Sequence, residues 1–521
     1  MRRVFRIAAL CLCASVLLCS CEQPEPRPTL NETTDSSSAP TAPSQTGRFS
    51  LSYDPTASLH PIAGDSQVNQ ELTGLVYQGL YELDNTFTPR PVLAASASVS
   101  GDGLTWTFTL AEGTVFSDGT PLAARHVAAS LEAARAAPGY AARMTGISSV
   151  AAGEDGAVYI ALTAPNGNLP ALLDIPIVLE QGPGPDGSLP PAPLGTGYYQ
   201  YEQTGDKLYL QANPLHSSAA LPYGAIPLIP VSDTGERIAA FDSGEITAVT
   251  TDFSSPYALG YSGGYAVTDY PTTSLLYVGF QTGSGVCRSP LVRQAFSRAF
   301  DRWSLVEVQL AGHGDPAALP VSPLSAEYSE AHAARLEYDL DAAAQLLAEA
   351  GYTLNEEDGL LYSRNTPVEV TLLVNSDNDV RQAAARQFAD ALGSLGVTVT
   401  VSHLPWSDFT AALAAGEFDL YIGEVRLPGD FDPSALLAGE LNYGGFESRE
   451  LTPALTLWQA AQGNARTQAA NVFWGQFVQT VPIAPLCFKR GSLLMRWGMA
   501  SNVQPTRANP YYKLEQWVIM E

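Results

Sequence analysis

The sequence predicts an α/β fold in which a parallel or mixed sheet is covered by helices. Strand and helix signals alternate throughout the body of the chain, and this order is typical of a sheet flanked by helices. The composition is globular, with 45% hydrophobic and 15% charged residues, which excludes a largely disordered chain and a coiled coil. A chain of 521 residues is expected to form two or three domains or lobes.

Individual elements follow from local patterns. The clearest series reads as strand 368–375, helix 380–395, strand 397–403, helix 406–415 and strand 418–425. Earlier, residues 105–110 alternate with period two, which predicts a half-buried strand. Residues 340–350 carry apolar side chains at helical spacing, and Gly351 then provides a typical helix end. Thr120 and Pro121 have the residue types of an N-cap and a first helical position, so we expect a helix to begin there.

The net charge argues against one class of partner. The chain has 27 Lys and Arg residues against 53 Asp and Glu residues, a formal charge of −26. Such a chain is repelled by phosphate backbones, so we expect no nucleic-acid partner. Only three lysines occur, and the scarce positive charge is almost all arginine.

The N-terminus predicts export and lipid anchoring. Arg2, Arg3 and Arg6 precede a short apolar run at 7–18, the pattern of a signal peptide. The following residues 18–21 (LCSC) resemble the lipobox of bacterial lipoproteins. That resemblance implies cleavage after residue 20 and a lipid on Cys21 at the extracytoplasmic face of the cell membrane. An ordinary secretory signal is the alternative.

A tether is expected to follow the signal. Residues 21–47 are rich in Pro, Ser and Thr, with almost nothing to bury, so they predict a spacer between membrane and globular body. The mature chain would keep Cys21, Cys287 and Cys487. The last two could form a disulfide or remain thiols, and the sequence leaves both possibilities open.

Collinear blocks in the body resemble the peptide/nickel-type solute-binding proteins of ABC transporters. The blocks are LVYQGLY at 75–81, SGDGLTWTF at 100–108, FSDGTPL at 116–122, GTGYY at 195–199, YVGF at 277–280, VRQA at 292–295, LLAEAGY at 346–352 and GEFDL at 416–420. No single block would suffice, but together they cover nearly the whole body.

The resemblance implies a two-lobed fold like that of periplasmic binding proteins. It places a discontinuous first lobe at 48–69, 191–272 and 491–521, an additional domain at 70–190 and a further lobe at 273–490. A peptide or other small solute would bind between the lobes, and an ABC permease with its ATPase subunits would be the partner. The family also implies a monomer, no cofactor and no enzymatic activity.

Two aromatic residues are candidates for the binding cleft. Trp406 follows a predicted strand, where members of this family often present an aromatic wall to the ligand. Tyr140 matches a loop that reaches toward the pocket. Either aromatic side chain could instead serve the hydrophobic core.

The segment 423–433 (GEVRLPGDFDP) holds the charged candidates. In peptide-binding members of the family this strand ends in Gly-Trp, and an aspartate soon follows that pairs with the peptide amine. Here Glu424 replaces the Trp and Arg426 falls near the aspartate position, whereas Asp430 or Asp432 could still serve. Glu424 and Arg426 point to one face if the strand continues, so they could grip a zwitterion or neutralise each other.

Patterns of catalytic and metal sites are weak. Residues 260–264 (GYSGG) satisfy G-x-S-x-G without the strand and helix of a nucleophile elbow, and 182–187 (GPGPDG) has prolines where a dinucleotide loop needs N–H donors. The histidines lack ligand spacing, so no resident metal site is expected. His403, near Trp406, is the residue that could hold a nickel chelate.

Three hypotheses therefore remain for the function. The leading one is a lipid-anchored receptor that delivers a peptide-like solute to an ABC importer, with a metal chelate as the alternative ligand. A sensor or surface lipoprotein could use the same fold without transport. A hydrolase is disfavoured, because no nucleophile, base and orienting group can be assembled.

Overall fold

The structure of the protein is a computed structural model that describes residues 49–181, 192–216, 221–254, 260–447, 449 and 451–520. The predicted signal peptide, Cys21 and the tether lie outside these residues, as does the glycine-rich segment 182–187. Within the described part of the chain, no helix combines the length and apolarity that a membrane crossing requires.

The largest sheet has seven strands and mixed directions. Its main path runs through Ala248–Thr251, Ile483–Arg496, Tyr265–Phe280, Leu420–Arg426, Glu369–Asn375 and Thr398–Leu404, and Gly314–Pro316 pairs with Ile483–Arg496. The helices in this part of the chain are Pro290–Ala299, Arg302–Ser304, the π-helical Leu305–Gln309, Glu330–Ala333, Leu340–Glu349, Asp379–Ser394, Trp406–Ala415, Ser434–Leu437, Leu451–Ala460 and Gly463–Thr480.

The predicted alternation at 368–425 is confirmed to within two residues at each boundary. Strand Glu369–Asn375 runs parallel to both Thr398–Leu404 and Leu420–Arg426, as strand–helix–strand connections require. Helix Leu340–Glu349 ends as expected, with Gly351 in the left-handed region at φ 88°. Strand Thr105–Leu110 is likewise confirmed.

Two four-stranded sheets form the other half of the protein. One orders Leu51–Tyr53, Ala225–Pro230, Lys207–Ala212 and Tyr199–Thr204, and the other orders Ala94–Val99, Thr105–Leu110, Val158–Leu162 and Ile147–Ala152. The helices here are Gln67–Gln70, Thr73–Val76, Ala124–Ala136, Pro138–Met144 and Thr234–Ser243. The small sheets pair Tyr81–Leu83 with Pro89–Pro91, Tyr352–Leu354 with Leu361–Ser363 and Thr366–Pro367, and Ala500–Ser501 with Val518–Ile519. Short 3₁₀ turns occupy Leu169–Leu172, Val286–Arg288, Ala334–Leu336 and Leu514–Gln516.

Two large hydrophobic cores divide the body into two lobes. The N-terminal core draws on both four-stranded sheets and also includes Tyr511, Leu514 and Trp517. The rings of Tyr511 and Trp517 lie edge-on to Phe49, with centroids 6.1 and 6.0 Å away. The large core lies on the seven-stranded sheet and includes Phe87 from the N-terminal half. The boundaries expected for the three segments stay a prediction.

The two lobes share a pair of long strands. Tyr265–Phe280 and Ile483–Arg496 pair side by side, and one end of the pair continues into Ala248–Thr251 while the other continues into Leu420–Arg426. The pairing is interrupted between Pro271 and Leu275. An irregularity of this kind bends a strand locally, so the sheet turns where the chain passes between the lobes.

The expected helix start at Thr120 is wrong. The helix is Ala124–Ala136, and the Nδ1 atom of His126 accepts the backbone N–H of Ala123, 3.1 Å away. Thr120 instead closes a turn in which the Asp118 carboxylate accepts its backbone N–H at 2.8 Å and its hydroxyl at 2.9 Å. The backbone of this segment is paired instead of helical: the Phe116 N–H donates to the Thr120 carbonyl at 2.9 Å, and the Leu122 N–H donates to the Thr114 carbonyl at 3.0 Å.

The question of the two cysteines is settled in favour of thiols. Cys287 and Cys487 are both free and buried in the large core. Burial raises the pKa of both thiols because it disfavours the charged thiolate.

Candidate functional site

A chain of ion pairs lies where the long strands pass between the lobes. The Glu424 carboxylate forms ion pairs with Arg381, at 3.0 Å between Oε2 and Nη2, and with Lys489, at 2.9 Å between Oε1 and Nζ. Lys489 also contacts Asp252, with 3.0 Å between Nζ and Oδ2. Arg381 comes from helix Asp379–Ser394, and the other three side chains come from the seven-stranded sheet or its edge. We call these four residues the Glu424 network.

The Glu424 network is ionised in spite of its burial. Burial works against the carboxylate of Glu424, but Lys489 and Arg381 outweigh it and hold the pKa of Glu424 below its usual value. Likewise, burial opposes the charge of Lys489, yet Glu424 and Asp252 raise its pKa. Each charge is therefore compensated by its neighbours.

A second ionic group lies on the N-terminal lobe. Asp174 is shared by two guanidinium groups, with 2.6 Å from Oδ1 to Nη1 of Arg143 and 2.8 Å from Oδ2 to Nη2 of Arg507. The Asp174 side chain is only 5% exposed, so one buried carboxylate compensates two cations. We call these three residues the Asp174 group.

Arg426 follows Glu424 on the same strand and has no polar partner for its side chain among the described residues. Its backbone pairs with Ser274 at the end of strand Leu420–Arg426, and its side chain is exposed. The positive charge of Arg426 acts on the neighbouring lobe: the pKa of Arg507 is lowered chiefly by burial, and Arg143 and Arg426 lower it further. Arg426 thus brings positive charge close to the Asp174 group.

The internal Glu424–Arg426 pair that the sequence left open is not formed. Glu424 has other partners, and Arg426 faces solvent. The two cations that neutralise Glu424 lie 43 and 65 residues away along the chain, which is why spacing within the strand could not reveal them.

Trp406 is an exposed aromatic residue beside the Glu424 network. Its side chain is 55% exposed, and the guanidinium carbon of Arg381 lies 5.9 Å from its ring centroid. Phe409 packs near it, with 5.8 Å between ring centroids. The structure therefore connects Trp406 to Glu424 through Arg381, and leaves much of the indole free to meet a solute.

Tyr140 lies near the Asp174 group. Its hydroxyl donates a hydrogen bond to the carbonyl oxygen of Pro61, 3.2 Å away, and the guanidinium of Arg143 lies 4.9 Å from the ring centroid. The ring is half-buried against the N-terminal core. Tyr140 thus positions Arg143.

Asp430 and Asp432 lie in a different environment from Glu424. Asp430 is 4% exposed, and its Oδ2 accepts the side-chain amide of Asn166 at 2.9 Å. The Asp432 carboxylate accepts the hydroxyl of Ser434 at 2.6 Å and the amide of Gln459 at 2.9 Å. Burial, followed by the nearby charge of Asp432, raises the pKa of Asp430. Both carboxylates are engaged with the protein itself.

Several charged residues of these groups were not recognised from the sequence. They are Arg143, Asp174, Asp252, Arg381, Lys489 and Arg507. Lys489 did carry a signal, because it is one of three lysines and follows a strongly apolar stretch. Arg507 carried none, since its partner Asp174 is 333 residues away.

Other candidate sites in the body offer less chemistry. A cavity of about 380 Å³ lies by the N-terminal sheet, and its lining includes Tyr53, Gly195, Tyr201 and Asp206 but no residue of the two ionic groups. Among its described lining residues there are one carboxylate and no cation, so this cavity offers a ligand less charge than the ionic groups do. Ser262 of the G-x-S-x-G segment donates to Asp242 at 2.8 Å. Within the described ranges, no three His, Cys, Asp or Glu residues are grouped as metal ligands, and His403 is exposed on an edge strand.

Comparisons with known proteins give a consistent result. Residues 88–445 match the family model "Bacterial extracellular solute-binding proteins, family 5 Middle". The glutathione-binding protein GsiB of Salmonella typhi is 29% identical over 307 residues, which are 56% of this chain and 59% of that protein. The chain thus aligns with about three fifths of the length of this relative.

Solved structures share the fold. The nickel-binding NikZ of Campylobacter jejuni, in complex with Ni(L-His), superposes with a TM-score of 0.62 at 19% identity over 90% of this chain and 98% of that one. The oligopeptide-binding protein AppA of Bacillus subtilis, in complex with a nonapeptide, superposes with a TM-score of 0.59 at 21% identity. The match covers 92% of this chain and 100% of that one. Both likenesses support the two-lobed architecture.

Proposed function

This chain belongs to the bacterial extracellular solute-binding proteins of family 5, and from that premise we propose that it captures a peptide-like solute between its lobes and delivers it to an ABC importer. One observation carries the proposal. The Glu424 network lies on the long strands that connect the lobes, Arg381 of this network lies over the exposed Trp406, and Arg426 pairs with Ser274 where the strand pairing is interrupted. Ligand sites of two-lobed proteins form at such junctions, because both walls can bury the solute.

A peptide-like solute suits this junction because of its mixed chemistry. Arginine side chains bind carboxylates through charge-assisted hydrogen bonds, and an indole face packs against apolar or planar groups. GsiB, the relative at 29% identity, is named for glutathione, a peptide-like molecule. A closing motion about the long strands would then convert binding into a shape that a permease recognises.

The membrane attachment is part of the same proposal. Cys21 carries the lipid, residues 21–47 form the tether, and residues 48–69, 191–272 and 491–521 form the first lobe, beside domain 70–190 and lobe 273–490. The body works as a monomer outside the cytoplasmic membrane. Replacing Cys21 by Ser should move the protein from the membrane to the soluble fraction, whereas Cys19→Ser should leave it attached. Equal membrane attachment of both variants would contradict the anchor.

Native mass spectrometry of the full-length protein, purified in mild detergent from its own host, tests the ligand. We expect a retained mass that fragments as a peptide. A retained nickel chelate would contradict the peptide hypothesis and support the metal chelate as the ligand. Uptake assays then distinguish a transport receptor from a sensor. If the protein serves an importer, removal of the cognate permease should abolish uptake of the retained solute.

A further inference from the structure

The Glu424 network, the Asp174 group and Arg426 together carry a surplus of positive charge, although the whole chain is strongly acidic. Five cationic side chains lie with three carboxylates: Arg143, Arg381, Arg426, Lys489 and Arg507 with Asp174, Asp252 and Glu424. The chain as a whole has a formal charge of −26. A local surplus of two positive charges in such a protein concentrates anions at this place.

Arg426 is the cation of this set that the protein does not compensate. Arg381 and Lys489 share Glu424, and Arg143 and Arg507 share Asp174. The exposed Arg426 side chain forms no ion pair within the described ranges. The positive charge of Arg426 lowers the pKa of Tyr270, on the neighbouring long strand, against the rise that burial causes. Because Arg426 pairs with Ser274, inside the interrupted stretch between Pro271 and Leu275, it lies at the bend between the lobes.

The carboxylates that the sequence or the structure offers as partners for a ligand amine are occupied. Glu424 is bound by two cations, and Asp252 by Lys489 and Ser254. Asp430 and Asp432 are held by Asn166, Ser434 and Gln459. A ligand amine would have to displace one of these contacts, whereas a ligand carboxylate meets a ready donor.

We propose that Arg426 is the specificity-determining residue for the solute, and that it selects an acid by binding its carboxylate without requiring a free amine. The inference rests on the proposed function, since it names the class of solute for the same junction. The planar guanidinium matches a carboxylate with two parallel hydrogen bonds, and Arg143 and Arg507 add attraction from the other lobe. Amine recognition by Glu424, Asp430 or Asp432 is then unnecessary.

The test uses four pools of tripeptides with the full-length protein in mild detergent. The pools combine a free or acetylated amine with a free or amidated carboxyl group, and binding is followed by native mass spectrometry and by titration. We expect amidation to weaken binding by tenfold to a hundredfold, the usual loss of one charge-assisted hydrogen bond, and acetylation to change it less than about threefold. In Arg426→Gln, acids and amides should bind equally.

The matched control is Arg386→Gln, which removes an exposed arginine from helix Asp379–Ser394. It should preserve the preference for acids. Arg426→Lys keeps the charge but loses the paired donors, so it should retain a weakened preference. Circular dichroism establishes that the variants fold.

A second probe separates this inference from the peptide proposal. Tricarballylate, a tricarboxylate without an amine, should raise the Tm of the native protein and of Arg386→Gln but not of Arg426→Gln. Equal binding of acid and amide pools would overturn the role of Arg426 while peptide binding stood. Stabilisation by tricarballylate without any peptide binding would support Arg426 and refute the peptide ligand. Failure of both probes would overturn both proposals.

Discussion

Phe87 and Phe431 meet edge to face, with their ring centroids 4.7 Å apart. Both residues have left-handed backbones, with φ of 59° and 56°, which side chains other than glycine rarely adopt. Phe87 comes from the N-terminal half of the chain but is buried in the large core with Phe431. The contact therefore joins two strained loops across the border between the lobes, and the packing of the two rings compensates the strain.

Truncating Phe87 should test this contact. Phe87→Ala is expected to lower the free energy of unfolding by about 3 kcal/mol, because it empties a buried aromatic site. Phe87→Leu fills most of the site and should cost about 1 kcal/mol, which includes the lost ring–ring interaction. Urea denaturation measures both values. Equal stability of Phe87→Ala and the native protein would show that the rings do not join the lobes.

Neutralising Glu424 should destabilise the protein at neutral pH. Glu424→Gln leaves Arg381 and Lys489 short of a compensating charge, and we expect a loss of about 3 kcal/mol. The pKa of Glu424 is lowered in the folded protein, so its stabilising effect is present above the unfolded value of about 4.3 and is lost as pH falls through the folded value. The stability difference between variant and native protein should therefore shrink below about pH 4. A constant difference at all pH values would contradict the ionic role of Glu424.

Asp430 should produce the opposite pH dependence. Its pKa is raised to about 6, first by burial and then by Asp432, whereas an unfolded aspartate titrates near 3.9. The folded protein binds the extra proton between about pH 4 and 6, so the free energy of unfolding falls as pH rises through that window. Asp430→Asn should abolish this fall, which amounts to about 2 to 3 kcal/mol.

Thermal unfolding of Asp430→Asn at pH 4.5 and pH 7 measures the effect. Asp390→Asn, at an exposed position on helix Asp379–Ser394, is the control and should follow the native protein. If Asp430→Asn lost as much stability as the native protein on going to pH 7, the buried proton would not belong to Asp430.

The thiols of Cys287 and Cys487 should be unreactive until the protein unfolds. Both are buried, and burial raises the pKa of each, so little thiolate is available at neutral pH. A thiol reagent such as dithionitrobenzoate should modify neither residue in the native protein and both in denaturant, without prior reduction. A disulfide would give no reaction in either condition.

The sequence predicted elements better than contacts. The strand and helix order at 368–425 followed from hydrophobic periodicity, because each element buries one face of its own short segment. The expected helix start at Thr120 is wrong because the backbone at 120–122 pairs with 114–116. That pairing depends on local geometry that residue types alone do not specify.

The binding-site residues that the sequence suggested stay predictions. Trp406, Glu424 and Arg426 were recognised from their places in the segments that resemble the family, and the structure connects Trp406 with Glu424 through Arg381. The partners of Glu424 and the whole Asp174 group come from residues far apart in the chain, and their pairing depends on tertiary packing. Sequence patterns therefore suggest candidate residues, whereas tertiary packing decides which of their charges are paired.

The contact of Phe49 with Tyr511 and Trp517 sets an order of events during biosynthesis. The N-terminal core contains these residues, so it cannot be completed while the ribosome has yet to add residues 511–517. Synthesis proceeds at about 5 to 20 residues per second, which leaves the earlier part of this lobe incomplete for tens of seconds. For an exported protein this delay is useful, because a translocation channel accepts a polypeptide that has not yet closed its first core.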